Sequence, residues 1–265
     1  MKQFVLPAAC AGEGEVTVSG RDYHYLHRVR RLSKGDTFPG RSRDGVRYRC
    51  TVAEVGPDSM LLRVRAGVSD AEAGAAGAAA DAEAGAAATP DIVLYQCLPK
   101  GRKLDQIVRQ AVEAGATRIV PVASRRVVKR LEAGEGSQRK LERWRRIAEE
   151  AVQQSGRSTI PAVEPVCELP ELPPVDAEDS ELGLLFHEKT LADRSIGSYL
   201  SAGPRRVAVV IGPEGGLSED EVGILERRGF NPVSLGPNVL RTETAAIYAI
   251  AAVQSVYREL VAWKQ

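Results

Sequence analysis

The chain has 265 residues, 43% of them hydrophobic and 27% charged, with a formal net charge of +1 at pH 7, a composition ordinary for a soluble protein of one large domain or two modest ones. Its four cysteines, Cys10, Cys50, Cys97 and Cys167, form no CxxC pair, which argues against a zinc site or a disulfide framework and fits reduced thiols in the cytoplasm. The opening "MKQFVLPAAC" is too short and proline-broken for a signal sequence, and the longest apolar stretch, "AAIYAIAAV" (245–253), cannot span a bilayer, so no membrane partner is expected.

Residues 1–70 look all-β. "GVRYRCTVAEV" (45–55) alternates Val46, Tyr48, Cys50 and Val52 with Arg47, Arg49 and Thr51, the period of a half-buried strand. Asp44-Gly45 and Gly56-Pro57-Asp58-Ser59 mark turns, and "MLLRVRAGV" (60–68) reads as the next strand of a small antiparallel barrel or sandwich. "AGVSDAEAGAAGAAADAEAGAAATP" (66–90) has no large apolar side chain after Val68 and reads as a flexible linker or expanded loop, with a frayed helix as the alternative. The division expected is 1–70, a linker over 71–89, and a second domain over 90–265.

Beyond the spacer, strands and helices alternate. Strands are expected at 91–98, 117–124, 181–188, 205–212 and 231–236, and helices at 102–115, 138–156, 218–228 and 242–262. The helix at 102–115 puts Leu104, Ile107, Val108, Ala111 and Val112 on one face and is closed by Gly115. The pattern implies an α/β fold with a parallel sheet covered on both faces.

Charge is segregated. Residues 21–49 hold nine Lys/Arg against three Asp, and residues 100–146 hold fourteen basic side chains against five acidic ones. Either these are solvated faces or they meet a polyanion. Two basic clusters in two domains favour nucleic acid, and scarce aromatic residues favour backbone and shape contacts to folded RNA over base stacking. The RNA-binding candidates are Arg28, Arg30, Arg31, Lys100, Arg102, Lys103 and Arg126. Lys100, Arg102 and Lys103 crowd a helix N-terminus, where the macrodipole disfavours cations, so something other than helix stability keeps them there.

"IGPEGGLSEDE" (211–221) follows a strand and opens a helix, which is where open α/β sheets bind ligands. It has neither the P-loop nor the dinucleotide spacing. Ser218 and Glu221 form a capping box that occupies the helix N-terminal amides, and Glu214, Glu219 and Asp220 add negative charge, so a phosphate is excluded. "LGPNVLRTETA" (235–245) repeats the grammar: an apolar residue, Gly-Pro, a short loop with a leucine, then Thr and Glu. The pair are either two tight turns or a joint site for a phosphate-free, adenosine-type cofactor carrying a cation. S-adenosylmethionine meets that description, although spacing alone does not single it out.

"IGPEGGLSEDE" and "LGPNVLRTETAAIYAI" resemble the C-terminal motifs of the RsmE-type methyltransferases of the SPOUT superfamily. "HYLHRVRRLSKGD", "KGRKLDQIVRQAVEAGATRIVPV" and "KLERWRRIAEEAVQQSGRSTIP" extend the likeness over most of the chain. The resemblance implies methylation of N3 of one uridine in the decoding region of 16S ribosomal RNA in the small subunit. It also implies an N-terminal PUA-like β-barrel, a C-terminal domain with a trefoil knot, a homodimer, and no metal. By that resemblance the cofactor contacts are Leu185, His187, Ile211, Gly212, Glu214, Gly215, Gly216, Leu217, Leu235, Gly236, Leu240 and Thr242. The sequence departs from the pattern at Arg30, where an apolar residue is common, at Arg125, where glutamate is common, and at Gln153.

Methylating N3 of uracil requires loss of its imide proton, so a base and a cation near O2 or O4 are needed. Arg241 and Glu243 in "LRTET" are the catalytic candidates, Arg241 for the oxyanion and Glu243 to orient it or accept the proton. The plain alternatives are that Thr242 caps the helix and Glu243 sits at its positive end. Two other functions stay open: a ribose 2′-O-methyltransferase of the same superfamily, and a non-catalytic RNA-binding assembly factor.

Overall fold

The computed structural model describes residues 4–7, 13–42, 46–66, 89–125, 135–157, 159–187, 194–236 and 238–262. The spacer from 67 to 88, Arg126 and most of the basic run 124–130 lie outside them. The chain divides into two compact units, residues 1–85 with 152–160, and residues 86–151 with 161–265.

The first unit is a five-stranded sheet of β1 (Phe4–Val5), β2 (Gly14–Ser19), β3 (Thr37–Arg41), β4 (Arg47–Val55) and β5 (Ser59–Ala66), ordered β1-β3-β4-β5-β2. All pairs are antiparallel except β1 with β3. The alternation seen in the sequence is the burial pattern: Tyr48, Cys50 and Val52 face a core with Phe4, Phe38, Met60 and Leu62. The expectation of an all-β unit needs one correction, because a helical turn, α1 (Gly20–Tyr23), runs into a π-helical segment, His24–Val29. Tyr23 and Leu26 from this segment fill the core, and the Tyr23 hydroxyl donates to the Gly56 carbonyl at 2.9 Å. Its apolar spacing is too short and too diluted by arginine to register as helical in the sequence.

The second unit is a seven-stranded sheet of β6 (Asp91–Cys97), β7 (Arg118–Ala123), β8 (Ala162–Val163), β9 (Cys167–Glu168), β10 (Glu181–Phe186), β11 (Arg206–Ile211) and β12 (Phe230–Val233). The order is β12-β10-β11-β6-β7-β8, with β9 also on β7, and every pair is parallel. Parallel strands buried on both faces explain the unbroken apolar runs. Helices α2 (Lys103–Ala114) and α6 (Thr242–Ala262) pack together, and α6 lies on β6 and β11. The other face carries α5 (Glu219–Arg227) over Val93, Tyr95, Val210 and Phe230. The remaining helices are α3 (Glu135–Ser155) and α4 (Ile196–Leu200). Gly115 ends α2 with φ at 109°, a left-handed conformation, and a Cβ there would run into Gln254 of α6.

Candidate cofactor and substrate site

Three parallel strands end level with one another, since Phe186 of β10 pairs with Ile211 of β11 and with Val233 of β12. The chain therefore leaves the sheet at His187, Gly212 and Ser234 along one edge. Between these exits lies a cavity of about 260 Å³, walled by the two glycine-proline loops. Of the predicted cofactor contacts, His187, Ile211, Gly212, Glu214, Gly216, Leu217, Leu235, Gly236, Leu240 and Thr242 line it. Leu185 is fully buried in the core beneath it, and Gly215 is not among the lining residues.

The first loop is tied down at every turn. The Gly216 amide donates to the Pro213 carbonyl at 2.9 Å, with Gly216 at φ 67°, a conformation that suits glycine. Pro213 and Leu217 are buried. Ser218 caps α5, and the Glu221 carboxylate returns the bond to the Ser218 amide at 2.8 Å. Glu221 also accepts from the Arg125 amide at 2.8 Å and is only 2% exposed. The capping box expected from the sequence thus forms, and these amides are engaged within the protein. Arg125, one of the three departures from the resemblance, places its guanidinium 2.6 Å from Asp220, an exposed pair that contributes little by itself.

Glu214 is exposed, with its carboxylate turned toward the start of α2. Its two carboxylate oxygens accept from the Lys100 amide at 3.1 and 3.2 Å, and one lies 3.0 Å from the Lys103 ammonium. Burial would raise this carboxyl's pKa, but Lys103 and the surrounding amides outweigh it and hold it below the ordinary carboxylate value. Lys103 in turn is held above the ordinary lysine value, first by Glu214 and then by Glu243. The cation at this helix start therefore has two carboxylate partners, Glu214 and, at 3.3 Å, Glu243.

The second loop is open. Among its described residues Ser234 folds it locally, accepting from the Gly236 amide and facing the Gly236 carbonyl, each at 3.2 Å. Asn238, Val239 and Arg241 are exposed, Val239 to 74%. Its anchor is Thr242. The Arg241 carbonyl accepts from the Ala245 amide at 2.8 Å, so Arg241 is the capping position of α6 and Thr242 is its first helical residue. The Thr242 hydroxyl does not cap. It donates to the Gly212 carbonyl at 2.7 Å and accepts from the Gln96 amide at 2.9 Å. Gln96 also donates to the Cys97 carbonyl at 2.9 Å, which fixes its orientation. Sequence reasoning missed Gln96, yet a signal was present: it is the one polar side chain within the apolar strand "IVLYQCL".

The two catalytic candidates stand in different settings. Arg241 lines the cavity with its side chain exposed, whereas Glu243 is half-buried and held by Lys103. Phe186, Asn238 and Val239 also line the cavity. Of the RNA candidates, Arg28 and Arg31 are exposed on or just after the π-helical segment. Arg30 lies 5.4 Å from the Phe38 ring centroid, so a cation over an aromatic face replaces the usual apolar contact there. Lys100 and Arg102 are exposed, and Arg126 is outside the described residues.

The apolar walls of Ile211, Leu217, Leu235 and Leu240 and the backbone turns between them fit an adenosine-type ligand, while the capping box already occupies the α5 N-terminus. Among the described residues, no cluster of His, Cys, Asp and Glu could hold a metal, and no helix is long and apolar enough to cross a membrane.

Comparison with known proteins agrees with this geometry. Residues 87–254 match the RNA methyltransferase domain family. A ribosomal RNA small subunit methyltransferase E of Synechocystis is 31% identical over 246 residues, 92% of this chain and 74% of its own length. The enzyme of the same name from Bacillus subtilis is 29% identical over 89% of this chain and 88% of its own. A Legionella pneumophila methyltransferase, solved with the cofactor S-adenosylmethionine bound, superposes with a TM-score of 0.78 at 25% identity, covering 96% of this chain and 97% of that one.

Proposed function

This chain belongs to the RNA methyltransferase family that includes the ribosomal RNA small subunit methyltransferase E enzymes, and on that premise we propose that it methylates N3 of one uridine in the decoding region of 16S ribosomal RNA. It is an S-adenosylmethionine-dependent ribosomal RNA methyltransferase. The observation that carries the finer reading is the cavity between the two glycine-proline loops, with an exposed arginine at its rim and a clamped glutamate two residues further on.

S-adenosylmethionine supplies the electrophilic sulfonium methyl when bound. The protein's part is to hold that ligand between Gly212–Leu217 and Leu235–Thr242 and to prepare the uracil. N3 loses its proton, the new N3–carbon bond forms as the sulfur–carbon bond breaks, and negative charge passes through O2 and O4. Arg241, exposed at the cavity rim, would stabilise that charge once the bound uracil covers it. Glu243 orients Arg241 or takes the N3 proton. Arg28, Arg30, Arg31, Lys100, Arg102 and Arg126 would grip phosphates, which gives an affinity that falls with salt.

The remaining parts of the reading rest on the family. They are a PUA-like barrel over 1–70, a linker over 71–89, a knotted catalytic domain over 90–265, cytoplasmic location and a homodimer. Purified under-methylated small subunits, labelled S-adenosylmethionine and nucleoside analysis test the function. A single 3-methyluridine product is expected. A 2′-O-methylated nucleoside would move the activity to ribose, and RNA binding without any product would leave only a binding factor.

A further inference from the structure

Lys103 begins α2, where a cation opposes the helix dipole. As a sequence feature it looks like one more phosphate contact. Its surroundings say otherwise. The ammonium lies 3.0 Å from Glu214 on the first loop and 3.3 Å from Glu243 in the first turn of α6, and both carboxylates are more shielded than the lysine, at 24% and 16% exposure against 35%. Glu243 Oε2 is out of solvent contact and has no hydrogen bond within ordinary geometry, so the ion pair is what holds it. Glu214 is itself fixed by the Lys100 amide.

We propose that Lys103 is a positioning residue for methyl transfer, setting Glu243 against the cofactor loop rather than gripping RNA. One cation then joins three elements: the start of α2, the loop that walls the cavity, and the helix turn that carries Glu243. Cofactor occupancy and placement of Glu243 become linked through it. The inference rests on the role of Glu243 given above.

The test is steady-state methylation of under-methylated small subunits by the wild type and by Lys103→Met, Lys103→Arg, Glu243→Gln and the Lys103→Met/Glu243→Gln pair, together with calorimetric titration of S-adenosylmethionine. Displacing a reacting group by about 1 Å costs roughly 100-fold, so Lys103→Met should lower kcat roughly 10- to 100-fold while KM for the subunit stays within about twofold. Arginine should recover most of the rate, because it also spans two carboxylates. The double variant should be no slower than Glu243→Gln, since residues acting as a unit are not additive. An unchanged kcat, with a raised subunit KM and a salt slope smaller by about 1, is the signature of a phosphate contact and overturns the inference. If Lys103→Met does not fold, Glu214→Gln carries the test: a lower kcat supports positioning, and a lower subunit KM at unchanged kcat refutes it. A wild type that makes no 3-methyluridine defeats the function itself, whereas an active wild type beside a Lys103→Met variant of full kcat defeats this inference alone.

Discussion

The two glycine-proline loops share a sequence grammar and have opposite structures. The first, 211–218, is bound to the rest of its domain through Glu214, Ser218 and the buried Pro213 and Leu217. The second, 234–241, leaves Asn238, Val239 and Arg241 exposed and is pinned at one end by Thr242 on Gly212. The hydroxyl residue that closes each motif sets the difference. Ser218 turns back on its own helix, while Thr242 reaches across to the neighbouring loop because Arg241 already occupies the capping position. One loop is a wall; the other is a working edge.

The largest expected effect separates these roles most sharply. Arg241→Ala should lower kcat roughly 100- to 1000-fold, as for loss of an oxyanion donor, with S-adenosylmethionine affinity unchanged within about twofold by calorimetry. Next comes the join between the loops. Thr242→Val keeps the shape but leaves the Gly212 carbonyl without its donor, and should cost about 1–3 kcal/mol in stability by thermal melting, with a roughly tenfold or greater loss of cofactor affinity. The wall carries a pH signature. Glu214 has a folded-state pKa below its ordinary value near 4.5, so its stabilising contribution is present above that value and is lost as pH falls through the folded pKa. Stability should therefore fall on acidification below about pH 4.5 in thermal melting, and Glu214→Gln should flatten that fall. Lys103, raised from 10.5, contributes below that value and loses its contribution only as pH rises beyond it. The smallest effect belongs to the edge: Val239→Ser should change stability by less than about 0.5 kcal/mol in urea unfolding, because the side chain is already in solvent.

Much of the catalytic domain was legible in the sequence because its signals are local. The helix expected at 242–262 is found at Thr242–Ala262, Gly115 closes α2 as its position implied, and the Ser218–Glu221 box forms within a single turn. The two loops could be paired by their motif, and they wall one cavity. What was not legible depends on long-range partners. Nothing near Thr242 in the chain says that its hydroxyl serves Gly212 and Gln96, thirty and 146 positions away. Nothing near Lys103 reveals Glu214 and Glu243, so its charge read as a surface cation. The helical segment at 20–29 escaped for a different reason: only Tyr23 and Leu26 mark its buried side, too few for a period to emerge.

Hydrogen exchange of the two loops, with and without S-adenosylmethionine, tests this division of labour most directly, since protection reports how firmly each backbone is held. Residues 211–218 should exchange slowly even before the cofactor is added, and residues 234–241 should exchange quickly and gain protection only on its addition. Equal exchange in both loops without cofactor, or protection gained by the first loop and not the second, would contradict it.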